Sequence, residues 1–210
     1  MRPWSRLLGC LAVFSVAGCT AVVDGTAMMP PAETPWLGGM DVDELLLSAA
    51  ELRDITGKGL DLTGVPGMDS RKTVDDELLA EGAPRECQFV FLESEIFGGD
   101  ELKQFHKTSF QTPTDSALLS EAAAAYADAG TARHAFDNVV TMVSGCRAAS
   151  LATLFVGQYS VEGDTLRVQT GPDCGRIYRV RSSVLIEVTY CGYSEVVPNV
   201  VTNRIATRVG

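Results

Sequence analysis

Six cysteines are the residues of this chain best suited to chemistry: Cys10, Cys19, Cys87, Cys146, Cys174 and Cys191. Thiols in this number bind metal, carry out redox exchange or pair as disulfides, and the cellular compartment decides among these. No Cys-x-x-Cys spacing is present, and neither His106 nor His134 sits near a cysteine at a metal-ligand interval, so no metal site is expected. A His-dependent triad would have to use one of those two histidines, and the Gly-x-Ser-x-Gly elbow of a serine hydrolase is absent. The acidic clusters Asp75-Asp76-Glu77 and Glu93-x-Glu95 lack the ligand spacing of a calcium loop and read as solvated surface. The glycine-rich stretch from Gly57 to Gly67 has no closing Lys-Ser or Lys-Thr and reads as a surface loop rather than a phosphate cradle. No catalytic residue and no cofactor is assigned.

The compartment comes from the first residues. Arg2 and Arg6 precede an apolar run from Leu7 to Ala17 with no acidic residue, the layout of a signal peptide over residues 1–18. The run is shorter than the roughly 20 residues needed to span a bilayer. It ends in Val16-Ala17-Gly18-Cys19, which resembles the bacterial lipobox. The resemblance implies lipidation of the Cys19 thiol and cleavage just before it, leaving a protein anchored on the extracytoplasmic side of the cell membrane. Two acyl chains on one cysteine supply the double signal that stable anchoring requires. Residues 19–40, with Pro30, Pro31 and Pro35 and little periodicity, form the lipidated cysteine and a flexible tether with a typical span of about 25 Å. Residues 41–210 form the folded domain.

Charge narrows the partners. With 17 Lys plus Arg against 27 Asp plus Glu, the chain carries -10. Removing residues 1–18 takes away two arginines and no acids, which makes the mature chain more acidic still. Such a domain offers no basic face to nucleic acid. Of the six cysteines, Cys10 is lost with the signal and Cys19 is lipidated, so four remain, and an even number in an exported chain reads as two disulfides.

The elements that must position them follow from pattern. Ser48-Ala49-Ala50-Glu51 is a capping box that starts a helix at about 49–56, ended by Gly57. Cys87 to Phe91 and Gln104 to Thr112 read as strands separated by Gly98-Gly99, and the alanine-rich stretch 117–127 fits helix or strand. From Gly130, the residues Ala132, Ala135, Phe136, Val139, Val140 and Val143 recur on one helical face that also carries Cys146. Strands are expected at about 152–160, 165–170, 174–181 and 184–191, and a last helix after Pro198 buries Val197, Val201 and Ile205.

Within the last two strands, a two-residue turn at Ser182-Ser183 sets Arg181 opposite Val184, and the same register sets Cys174 opposite Cys191. That pair is non-hydrogen-bonded, with a Cα separation near 4.5 Å that a disulfide accepts. Elimination leaves Cys87 with Cys146. The register also places Ile177, Val184, Ile186, Val188 and Tyr190 on one face. On the other face Glu187 lies opposite Tyr178 and diagonal to Arg176, and these three are the candidate ligand-binding residues, lining a polar surface.

The stretch Leu46-Leu47-Ser48-Ala49-Ala50-Glu51-Leu52, the helix Ala132 to Cys146, the four cysteines, Val184 to Val188 and the ending Asn203-Arg204-Ile205-Ala206-Thr207-Arg208-Val209 together resemble the PknH-like extracellular sensor domain family of mycobacteria, over roughly residues 41–209. The resemblance implies a single α+β domain, a twisted antiparallel sheet packed by helices with two disulfides, and a cleft for an unidentified ligand. The chain departs from the family at Val143, where members often carry tryptophan. It holds no kinase signature: no Gly-rich loop with catalytic lysine, no His-Arg-Asp and no Asp-Phe-Gly. The expected function is therefore non-enzymatic: a lipid-anchored envelope protein that binds or senses a small molecule or lipid. Docking of another envelope protein and, after it, hydrolysis of an envelope substrate are the alternatives. If Cys19 carries the anchor, Cys19→Ser should move the full chain from the detergent-rich to the aqueous phase in Triton X-114 partitioning. Retention in the detergent phase would contradict it.

Overall fold

A computed structural model of the chain describes residues 41–98 and 101–210. The signal segment, Cys19, the tether through residue 40 and Gly99 lie outside the described residues. The described chain runs through six α-helices and seven strands. These are α1 (Val42–Leu45), α2 (Ala49–Thr56), β1 (Thr63–Gly64), α3 (Glu77–Glu81), α4 (Glu93–Phe97), β2 (Leu102–Thr112), β3 (Ala117–Tyr126), α5 (Ala129–Arg147), β4 (Gln158–Glu162), β5 (Thr165–Gly171), β6 (Cys174–Arg181), β7 (Val184–Cys191) and α6 (Val196–Val209). All seven strands join one antiparallel sheet in the order β1-β2-β3-β7-β6-β5-β4. No helix of the described residues is long and apolar enough to cross a membrane.

Local chemistry accounts for the helix ends. Ser48 Oγ accepts from the Glu51 amide and Glu51 Oε2 accepts from the Ser48 amide, while Gly57 closes α2 at φ 67°. Asp128 Oδ1 accepts from the Thr131 amide at 2.8 Å and starts α5 one residue before Gly130. The last helix begins at Val196, two residues ahead of Pro198. Proline is tolerated there because its missing N–H falls in the first turn, where no intrahelical acceptor exists.

The sheet is covered on both faces. On one face α1, α2 and α6 close over Leu119, Ala123, Ala125, Ile177, Val184, Ile186, Val188 and Tyr190. On the other, α5 and the segment through α4 close over Phe105, Ala124, Leu166, Val168, Val180 and Leu185. The face opposite Ile186 and Val188, read from sequence as polar, is thus largely a second core. Val143 is part of it, fully buried on α5. The ambiguous alanine run is β3, the strand between β2 and β7, and the small side chains of Ala122 to Ala125 are buried on both faces.

Two expected strands and one expected loop require correction. Cys87 to Phe91 lies in a 3₁₀ helix, Arg85–Phe91. A strand needs a sheet neighbour, and this run packs over a face of the sheet rather than along an edge, with Cys87 and Phe89 turned inward. The strand expected from 152 begins only at Gln158, after a 3₁₀ turn at Ala152–Leu154. Between them Gly157 has φ 45°, and a Cβ there would stand 1.9 Å from the Gln169 carbonyl oxygen, so the chain enters β4 by a route only glycine permits. Thr63–Gly64, within the expected loop, pairs with Gln111 and Phe110.

The disulfides are Cys87–Cys146, with Cα atoms 4.7 Å apart, and Cys174–Cys191, at 4.0 Å. The β6–β7 register pairs Arg181 with Val184 and Cys174 with Cys191, and Ser182 takes the positive φ the tight turn needs, 51°. The first bridge spans 59 residues and the second 17, across a hairpin already held by its ladder. Replacing Cys87 and Cys146 by alanine should therefore cost about 4 kcal/mol in urea unfolding, and replacing Cys174 and Cys191 about 3 or less. The reverse order would show that chain closure is not what the bridges contribute.

Candidate functional site

Beyond the reach of α5, the face it covers turns polar. Lys107, Ala122, Glu187 and Tyr178 form one row across β2, β3, β7 and β6, and Ser109, Ser120, Thr189 and Arg176 form the next. The Pro66–Met68 turn, the loop through Val74, the end of the Arg85–Phe91 3₁₀ helix and α4 lie above them rather than α5. The loop before α3 is fastened to β2 through the Val65 amide to the Ser109 carbonyl at 2.8 Å, and through a two-way Ser70–Lys107 backbone pair at 2.9 Å. Glu93 joins the next part of the cover to the sheet, accepting from the Val74 amide at 2.8 Å and pairing with Lys107 Nζ at 2.5 Å. Asp75 accepts from both the amide and the hydroxyl of Ser94, at 2.9 and 2.6 Å. Asp76, Glu77 and Glu95 are exposed, as expected of solvated surface, whereas Asp75 and Glu93 also tie loop, α4 and sheet together.

Between cover and sheet lies a cavity of about 320 Å³. Met68, Val74, Val90, Phe91 and Ile96 supply apolar walls, and Lys107, Arg176 and Glu187 supply the polar floor. An apolar wall with a few placed polar groups is the usual composition of a small-molecule site. Glu187 is 3% exposed; its Oε1 accepts from Thr189 Oγ1 at 2.6 Å, while Oε2 is buried with no hydrogen-bond partner in the protein. Arg176 donates from one guanidinium nitrogen to the Val90 carbonyl at 3.1 Å, and the other lies 3.5 Å from the Tyr178 hydroxyl. Burial opposes the Arg176 charge, but Tyr178, Glu187 and Glu93 outweigh it and hold its pKa above the ordinary value. Burial also raises the Tyr178 hydroxyl, keeping it protonated beside Arg176.

Of the residues singled out from sequence, Arg176 and Glu187 line the cavity, and Tyr178 is buried against Arg176. Lys107 and the apolar walls carry no motif that marks them, and Glu93, expected as solvated surface, lines the cavity. A signal existed for Lys107 and Ser109: they interrupt the alternation that Phe105 begins in β2, as Glu187 and Thr189 interrupt β7. The walls come from short 3₁₀ and α-helical turns and one loop residue, Val74, none of them long enough to carry a periodicity. His106 lies on the opposite face, its Nδ1 2.8 Å from Asp43 Oδ1, and its Nε2, hydrogen-bonded to Asp69 Oδ1 at 3.3 Å, ties β2 to the loop after β1. His134 is exposed on α5.

A seven-stranded antiparallel sheet enclosed by helices, pinned by two disulfides and hollowed at one end of one face, defines a disulfide-stabilised α+β domain of extracellular type. Residues 38–208 match the family model described as the PknH-like extracellular domain, and the chain belongs to that family. Among solved structures, it is similar to the extracellular domain of PknH from Mycobacterium tuberculosis, with a TM-score of 0.60 and 18% identity, covering 80% of this chain and 94% of that one. That likeness is one of fold. No curated protein matches the chain.

The sheet carries a second buried carboxylate. Glu121, 1% exposed on the face under α1, α2 and α6, accepts from the Leu47 amide at 2.7 Å. Burial pushes its pKa up to about 8, against the lowering effect of the Leu47 amide and Arg208. Its folded pKa therefore exceeds the ordinary 4.5, so the folded chain holds a proton that the unfolded chain has lost between these values. Stability at this position falls as pH rises from about 4.5 to about 8. Glu121→Gln should flatten that decline, leaving the variant more stable than wild type at pH 8 in urea unfolding. An unchanged pH slope would show that Glu121 titrates normally.

Proposed function

We propose that this chain is an envelope lipoprotein, anchored through Cys19, whose domain binds a small amphipathic molecule in the cavity beneath the Val65–Ser70 loop. Arg176 and Glu187 contact the ligand's polar end, Tyr178 orients Arg176, and Met68, Val74, Val90, Phe91 and Ile96 receive its apolar part. The observation that carries this reading is the partnerless Glu187 Oε2 at the cavity floor. A buried acceptor left unpaired costs about 1–3 kcal/mol, which a ligand hydroxyl or amine donating to it recovers. The cavity lining contains no histidine or cysteine, and Ser70 Oγ already donates to the Lys72 carbonyl, so the arrangement favours binding over turnover. Membership of an extracellular domain family of the kinase-sensor type supports sensing as the purpose of binding.

Native mass spectrometry of the full chain taken from its own membranes tests the proposal. Wild type should carry an additional bound mass. Val74→Trp, at an exposed position on the rim, should fill the cavity and lose that mass while keeping the unfolding midpoint of ligand-free wild type. Absence of any adduct on wild type, or an adduct that survives Val74→Trp, would overturn the reading.

A further inference from the structure

The two edges of the sheet are finished differently. At the β1 edge the outermost strand is two residues long and runs into a 3₁₀ turn at Pro66–Met68. A short edge followed by proline is a usual guard against pairing with another chain. At the other edge β4 is five residues long, regular, exposed at every position and paired only with β5 among the described residues. Its one charge is Glu162, at the turn end.

The register of β4 determines which of its groups are free. Glu162 pairs with Thr165 across the two-residue turn Gly163-Asp164, so that pair is hydrogen-bonded, and hydrogen-bonded pairs alternate along the ladder. Glu162, Ser160 and Gln158 therefore point their amides and carbonyls at β5. Tyr159 and Val161 point theirs outward. They are also the large apolar side chains of the strand, 36% and 43% exposed, on the face shared with Val168 and Leu166 opposite them.

We propose that β4 is the seam of a two-fold homodimer, pairing antiparallel with β4 of a second copy about Ser160. In this register Tyr159 meets Val161 of the second copy, and the reverse, so all four outward amides find all four outward carbonyls. Tyr159 and Val161 also pack as cross-strand aromatic and β-branched pairs, a favourable combination. Glu162 meets Gln158 of the second copy, so no like charges face each other. Shifting the two-fold by one residue either way brings Gly157 or Gly163 opposite an outward residue, and their φ values of 45° and 61° are not those of a strand. The centred register is thus the one in which every paired residue is extended, and its two-fold closes at a dimer rather than propagating as a fibre.

About the axis Ser160 faces itself as a non-hydrogen-bonded pair, with Cα atoms about 4.5 Å apart, a separation a disulfide accepts. Full-length Ser160→Cys, exported in its own host, should run mostly as a covalent dimer on non-reducing gels. Thr207→Cys, exposed on α6, should not. Adding Val161→Pro to Ser160→Cys removes an outward N–H while leaving the β5 ladder intact, and should reduce cross-linked dimer by about tenfold. On the unmodified chain in detergent, sedimentation should show a concentration-dependent dimer that Val161→Pro abolishes. A monomer in sedimentation, equal cross-linking at Ser160 and Thr207, or cross-linking indifferent to Val161→Pro would overturn the proposal. An edge occupied instead by the chain's own N-terminal residues, or by an extended peptide of another envelope protein, would give the monomer.

Discussion

The structure depends on a sheet that must be covered on both faces. An antiparallel sheet is commonly buried on one face and wet on the other. Here β3 and β7 are buried on both faces along nearly their whole length. The alanines from 122 to 125 allow this, because their short side chains let α5 approach from one face and the α1, α2 and α6 layer from the other. The price of double coverage is that each polar group on the central strands must find a partner inside the protein.

The two buried carboxylates each have one oxygen satisfied and Oε2 without a partner, but in different surroundings. Glu121 sits under a helical layer, where the Leu47 amide, just ahead of the Ser48 cap of α2, reaches it. Glu187 sits beyond the reach of α5, where the Thr189 hydroxyl reaches its Oε1 and its Oε2 faces the cavity. One carboxylate therefore helps dock a helix, whereas the other is left at the floor of a cavity. The Cys87–Cys146 bridge bears on the same region: it fastens the 3₁₀ segment that carries Val90 and Phe91 to the end of α5.

The same architecture leaves an unequal perimeter. Helices cover faces, not edges, so the outermost strands must protect themselves. β1 does so by brevity, and β4, entered through Gly157, remains regular and exposed.

Much of the fold was legible in the sequence because it rests on local rules. The capping box at Ser48, the stop at Gly57, the helical face from Ala132 to Cys146 and the Cys174–Cys191 pairing follow from spacings of a few residues or from one turn. Arg176, Tyr178 and Glu187 came from the same hairpin register, which shows that they share a face but not what lies above it. The 3₁₀ path of Cys87 to Phe91, the strand state of the alanine run, the second core and the cavity walls were decided only by tertiary structure. A short apolar or alanine-rich run has no period that separates helix from strand, so its state is set by the neighbour that satisfies its backbone. Whether a sheet face is core, cavity or solvent depends on which distant segment crosses it, and that contact leaves no mark on the spacing of residues along the chain.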